Sequence, residues 1–250
     1  MAGALSRSKA MITQDQRVLV FSAHAADFCS RSGGAIMKFA EAGATVHVHD
    51  LTYGERCEST ALWDRKHRPT IEEVKAIRAE EIRKAADIVG ASFDVFDWGD
   101  SPLEIGEDRK LAILEAIRAF RPDVVLTHWK DDITHPDHVE TTRAVIFGCS
   151  YCGSRGIVAE SEPCPRPQIY MYETTSGTAS VSKFLPDTYV DITDVFDRKI
   201  EALGALAAQP VLPGSYEVIG RYRAMEANST AGMSGCQYAE GFVKFGTYRG

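Results

Sequence analysis

Arg17-Val-Leu-Val-Phe-Ser22 runs directly into Ala23-His24-Ala25-Ala26-Asp27. The first six residues lack the polar alternation of a half-exposed strand and read as a strand covered on both faces. Working outward, Gly33-Gly34 opens an amphipathic stretch to Ala42, and Thr45-Val-His-Val-His-Asp-Leu-Thr52 reads as a second strand. Thr70 and Glu73 have the spacing of a capping box, Val74, Ile77, Ile82 and Ile88 keep helical periodicity, and Gly90 stands where a terminating glycine belongs. Phe93-Asp-Val-Phe96 is a third strand, 110–120 a helix, Arg121-Pro-Asp123 a turn, and Val124-Val-Leu-Thr-His128 a fourth strand. A helix is expected from about 136 to 147, late strands at 168–173 and 189–193, and a final helix over 194–208, with 153–166 as a loop.

Strands alternating with helices imply right-handed crossovers, hence an α/β fold: a Rossmann-like three-layer sandwich with a mostly parallel sheet. With strand order 3-2-1-4, the carboxyl ends of strands one and four meet at the switch point, where open sheets bind ligands. Two His/Asp clusters stand at those ends, His24-Ala-Ala-Asp27 and His135-Pro-Asp-His138. Imidazole nitrogens and carboxylate oxygens of this kind hold zinc with a position left open for water. His47, His49 and His67 are set aside as ordinary core or surface histidines.

The 250 residues, 44% hydrophobic and 25% charged, suit one globular domain over 17–250 behind a flexible leader at 1–16. That leader carries Arg7 and Lys9 but no apolar run after them, so it does not read as a secretory signal. No stretch approaches the roughly 18 to 20 apolar residues of a membrane span. A net charge of −7 disfavours nucleic acid as a partner and leaves a small molecule. Six scattered cysteines suit reduced thiols in the cytoplasm, with Cys149-Ser-Tyr-Cys152 read as buried or half-exposed thiols rather than a zinc clip or redox pair. A homo-oligomer is expected.

Ala23-His-Ala-Ala-Asp27 with Gly33-Gly34, and His135-Pro-Asp-His138, resemble the motifs of the PIG-L (LmbE-like) superfamily, whose best-known members are zinc-dependent N-deacetylases of amino-sugar conjugates. The resemblance implies zinc, or another divalent metal, on His24, Asp27 and His138. The family's usual first motif is His-Pro-Asp-Asp, and this chain has Ala26 where the general base would stand. An alanine methyl accepts no proton, and losing a positioned base costs about 10² to 10⁴ in rate. A branch lacking that aspartate, the metal-dependent 4-oxalomesaconate hydratases of gallate breakdown, is similar to the chain at further places. These are Ala23-His-Ala-Ala-Asp-Phe28, Arg31, Gly54-Glu-Arg-Cys-Glu-Ser59, Leu62-Trp63 and Tyr238-Ala-Glu-Gly241, while about 148 to 185 matches poorly.

Hydrating a double bond conjugated to a keto-acid needs an electrophile, a proton donor and a proton acceptor. Glu55, just past the second strand, is the candidate for proton traffic, with His135 as its partner and Asp137 orienting a histidine. Arg31 and Arg56 are candidates to grip a carboxylic-acid substrate, joined by His128 at the end of strand four. The leading expectation is a zinc-dependent hydratase of an unsaturated oxo-carboxylic acid. A deacetylase using Glu55 as base comes second, and a binder with a structural metal third.

Overall fold

A computed structural model of the chain describes residues 11–175 and 179–246. β1 (Arg17–Ser22) lies inside the sheet, buried on both faces as its composition requires. Val18 and Val20 point into one apolar cluster, Leu19 and Phe21 into another. β1 pairs in parallel with β2 (Thr45–Asp50) on one side and β4 (Val124–His128) on the other. β3 (Ser92–Val95) extends the sheet beyond β2, and β5 (Gln168–Tyr172) lies beyond β4. β7 (Ala239–Phe245) is antiparallel to both β5 and the edge strand β6 (Thr188–Asp191). The full order is β3-β2-β1-β4-β5-β7-β6, so the expected 3-2-1-4 run stands.

One face is covered by α1 (Asp27–Glu41), α3 (Ile71–Val89), α7 (Phe196–Ala205) and α8 (Leu212–Thr230), the other by α4 (Glu107–Phe120) and α5 (Pro136–Tyr151). Short helices at α2 (Thr60–Trp63) and α6 (Ala179–Ser182) complete the described elements. Full burial of one Val, Leu, Ile or Phe side chain contributes about 1.5–3 kcal/mol, so these two apolar layers dominate the folding energy. Among the described residues no helix is long and apolar enough to cross a membrane.

The capping box on α3 forms as expected: Glu73 N–H donates to Thr70 Oγ1, Thr70 N–H donates to Glu73, and Gly90 ends the helix at φ +81°. α1 starts six residues before the expected Gly33, because Asp27 supplies a first-turn carboxylate that favours the positive helix end. The glycines serve packing instead. A Cβ on Gly34 would stand 2.6 Å from Ile192 Cγ2. Gly34 N–H and Ala35 N–H both donate to the buried Glu240 carboxylate of β7, at 2.9 and 2.7 Å, and Lys199 of α7 neutralises it at 2.6 Å. The helix expected over 194–208 is a 3-10 turn at Thr193–Val195 followed by α7, and it is not the last. α8 and β7 were not expected as elements.

Residues 1–10 of the expected leader lie outside the described residues; of the remainder, Met11 is buried against the core. The loop after α5 is organised by Arg118, whose guanidinium donates to the carbonyls of Cys152, Ser154 and Ile157 at 2.7–3.1 Å. All six cysteines are free, and Cys149 and Cys152 are buried.

Candidate metal centre and active site

The carboxyl ends of β1 and β4 meet as the topology requires, and the two His/Asp clusters face each other there. Asp27 is the first residue of α1; His135 caps α5, with Pro136 in its first turn, and His138 follows. His24, Asp27 and His138 are all fully buried. Asp27 Oδ2 lies 3.3 Å from His24 Nδ1 and 3.5 Å from His138 Nε2. Both of those ring nitrogens are without a hydrogen bond, as is His128 Nδ1. The opposite nitrogens are engaged: His24 Nε2 meets Asp137 Oδ2 at 3.0 Å, and His138 Nδ1 meets Asp132 Oδ2 at 2.9 Å. Imidazoles each backed by a carboxylate, with their free nitrogens converging on a third carboxylate, are the donor set of a divalent-metal site. The residues therefore fit the metal that the resemblance implies.

Each supporting carboxylate is itself anchored. Asp137 accepts from the N–H groups of Ser101 and Leu103, and Asp132 from the N–H and hydroxyl of Thr175. Asp27 Oδ1 is gripped by Arg31, which also donates to Thr175 Oγ1 at 3.1 Å. Burial opposes charge throughout, but Arg31, His138 and His128 outweigh it at Asp27 and hold that carboxyl well below its usual range. Burial likewise opposes protonation of His24, where Glu58, Asp137 and Asp27 prevail and raise its pKa well above the usual value. Burial instead holds His138 and His128 below the usual imidazole range, so of the three central histidines only His24 favours its protonated form.

Glu58 is the carboxylate that joins this group. Its Oε1 lies 3.2 Å from His135 Nε2 and 3.5 Å from His24 Nδ1. Burial and the like charge of Asp27 would raise its pKa, but His24 and His135 bring it down to about 2. His135 stacks on His138 with centroids 3.9 Å apart, and its side chain stays 17% exposed, so this pair stands at the mouth of the site.

Glu55 is placed differently from its expected role. Its carboxyl is buried beside Gly99, with Oε2 unpartnered, and it belongs to none of the converging ligand groups among the described residues. The cause is the turn beginning at Gly54, φ +64°, where Glu58 N–H donates to Gly54 O at 3.2 Å. A Cβ on Gly54 would stand 3.1 Å from both His24 Cβ and Glu58 Cβ, so glycine lets these two side chains close up. Burial and the charge of Asp100 raise the Glu55 pKa.

Arg56 is exposed on the rim, its backbone N–H on the Asp100 carboxylate and its guanidinium on the Asp100 carbonyl. Arg31, 4% exposed, is committed to Asp27 rather than free for a substrate. His128 is fully buried, stacks beneath His138 at 3.9 Å, accepts from Ala23 N–H at 2.9 Å, and stands 3.4 Å from Asp27 Oδ2. Ala26 is buried at the N-terminus of α1. Sequence reasoning missed Glu58, Asp132 and Thr175. Glu58 stood within the quoted 54–59 stretch and Asp132 three residues before His135, so both were within sight.

Fold and site together define a class: an α/β sandwich with a His/Asp metal cradle at the carboxyl ends of β1 and β4. The family model described as GlcNAc-PI de-N-acetylase (PIG-L) matches residues 19–147, and the chain belongs to that family. It is 35% identical over 234 residues to a 4-oxalmesaconate hydratase of Pseudomonas putida, covering 92% of this chain and 90% of that protein. It is similar to the crystal structure of GalB, the 4-carboxy-2-hydroxymuconate hydratase from Pseudomonas putida KT2440, with TM-score 0.87 and 33% identity over 93% of this chain and 97% of that one. A diacetylchitobiose deacetylase of Thermococcus kodakarensis is 27% identical over 235 residues, covering 90% of this chain and 82% of that protein.

Proposed function

We propose that the chain is a metal-dependent hydratase, a hydro-lyase that adds water to an unsaturated oxo-carboxylic acid such as 4-oxalomesaconate in aromatic-acid breakdown. One observation carries the choice over deacetylation: the chain matches the Pseudomonas putida hydratase at 35% identity over 92% of its length, against 27% for the deacetylase. The buried Ala26 supports it, since a methyl group stands where the deacetylase base is expected.

His24, Asp27 and His138 would hold the ion, zinc by the affinity of two imidazoles and a carboxylate, and such an ion supplies Lewis-acid polarisation of a carbonyl or enolate oxygen. Asp137 and Asp132 orient the two imidazoles, and Arg31 keeps Asp27 ionised. Glu58 and His135, 3.2 Å apart at the mouth, take the proton transfers, the carboxylate as acceptor from water and the imidazolium as donor toward carbon. Arg56 on the rim meets a substrate carboxylate. The same reading makes the protein a homo-oligomer of the cytoplasm, a compartment that suits its six free cysteines.

A deacetylase is the second reading, favoured by the family to which the chain belongs. The test is direct. Purified, metal-reconstituted protein is assayed on 4-oxalomesaconate for loss of enone absorbance and on N-acetylated amino sugars for free amine. Consumption of the enone with no amine released supports the hydratase; amine release with an inert enone overturns it.

A further inference from the structure

A second group of metal-ligating side chains lies on the far side of β2, apart from the site above. His47 and His49 alternate on β2 and so share the face that no helix covers fully; Asp94 of β3 is the register partner of His49. One ligand atom from each of His47, His49 and Asp94 lies within 4.8 Å of the others. The two rings meet edge to face at 4.6 Å, and His49 is stacked on Phe96 at 5.0 Å.

The tautomer of His47 follows from its neighbours. Ser92 Oγ lies 2.8 Å from His47 Nδ1 and 3.3 Å from Val46 O, so with its proton on Val46 O it accepts from His47 Nδ1–H. That leaves a lone pair on His47 Nε2, aimed at Asp94 Oδ2 only 3.3 Å away. A metal ion between them would bind both, taking the place that a proton on Nε2 fills when the site is empty. Ser92 is thus to His47 what Asp137 and Asp132 are to His24 and His138: the outer partner that fixes which nitrogen is free.

We propose that His47, His49 and Asp94 form a second, weaker site for a divalent, imidazole-preferring transition metal. Both rings also line an open cleft of about 530 Å³ walled by Phe96, Phe120, Ala112 and Ala116, so an added ligand on the metal would find an apolar bed. Two imidazoles with one carboxylate suit zinc, nickel or copper rather than magnesium or calcium.

The test is metal stoichiometry after equilibrium dialysis of the holoenzyme against zinc chloride. Two equivalents are expected for the natural chain. One is expected for H47A/H49A, with turnover kept, and one for H24A/H138A, with turnover lost. The mild variant Ser92→Ala, which spares every ligand, should weaken the second equivalent by about 10- to 100-fold. A single equivalent in the natural chain, or two in H47A/H49A, overturns the proposal and leaves the hydratase reading untouched.

Discussion

Replacing Glu58 by glutamine keeps the shape of the side chain and removes its ability to take a proton. Its Oε1 stands 3.2 Å from His135 Nε2 and 3.5 Å from His24 Nδ1, distances at which an amide still hydrogen-bonds. The fold should therefore survive, and His24, Asp27 and His138 keep their ligand atoms, although Glu58 also converges on His24 and His138. Losing a positioned base costs about 10² to 10⁴ in rate. That is about 3 to 5 kcal/mol on the barrier. The control is Glu55→Gln, whose carboxyl faces Gly99 and the Asp100 side of the loop, and which should leave kcat near the natural value. Steady-state hydration of the enone, read beside metal content by elemental analysis, separates the cases. If Glu58→Gln turns over normally while Glu55→Gln is dead, the assignment of proton transfer is wrong. If Glu58→Gln loses its metal, Glu58 is a ligand and not a base.

Asp132→Ala should weaken metal binding by about 10- to 100-fold, because His138 loses the partner of its Nδ1; a chelator competition titration measures this, and unchanged affinity refutes it. Stripping the metal with that chelator should abolish turnover, and re-adding a divalent ion should restore it; activity that survives stripping contradicts the cradle. Gly34→Ala should destabilise the fold by about 1–3 kcal/mol through overpacking, since its new methyl would stand 2.6 Å from Ile192; urea midpoints show the loss. Thr70→Ala removes the side-chain acceptor of the α3 cap and should cost about 1 kcal/mol by the same assay, with activity kept.

The central strands were legible because both their faces are buried, and burial on two sides leaves an uninterrupted apolar run. β7 was not, because it runs through Glu240 and Gly241 and its pairing is set by β5 and β6 rather than by its own pattern. α8 carries Pro213 and Gly214 in its first turn and buries few apolar residues, so its periodicity is faint. In the site, His24, Asp27, His135, Asp137 and His138 could be found because the switch point gathers strand ends whatever the loops do. The choice between Glu55 and Glu58 could not, since it depends on the backbone turn at Gly54. Arg31 and His128 do stand beside the centre, where the fold alone shows that Arg31 pairs with Asp27 and that His128 accepts from Ala23 N–H.

Glu240 ties the last strand to the first helix, and a nascent polypeptide meets that tie in a fixed order. The ribosome delivers α1 early, with the Gly34 and Ala35 amides still lacking their acceptor and Lys199 lacking its counter-charge. Until β7 emerges α1 lacks that anchor, and Asp27 and Arg31 ride on α1. Truncation just short of β7 should therefore loosen α1 in a chain that keeps every proposed metal ligand, and weaken its hold on an ion.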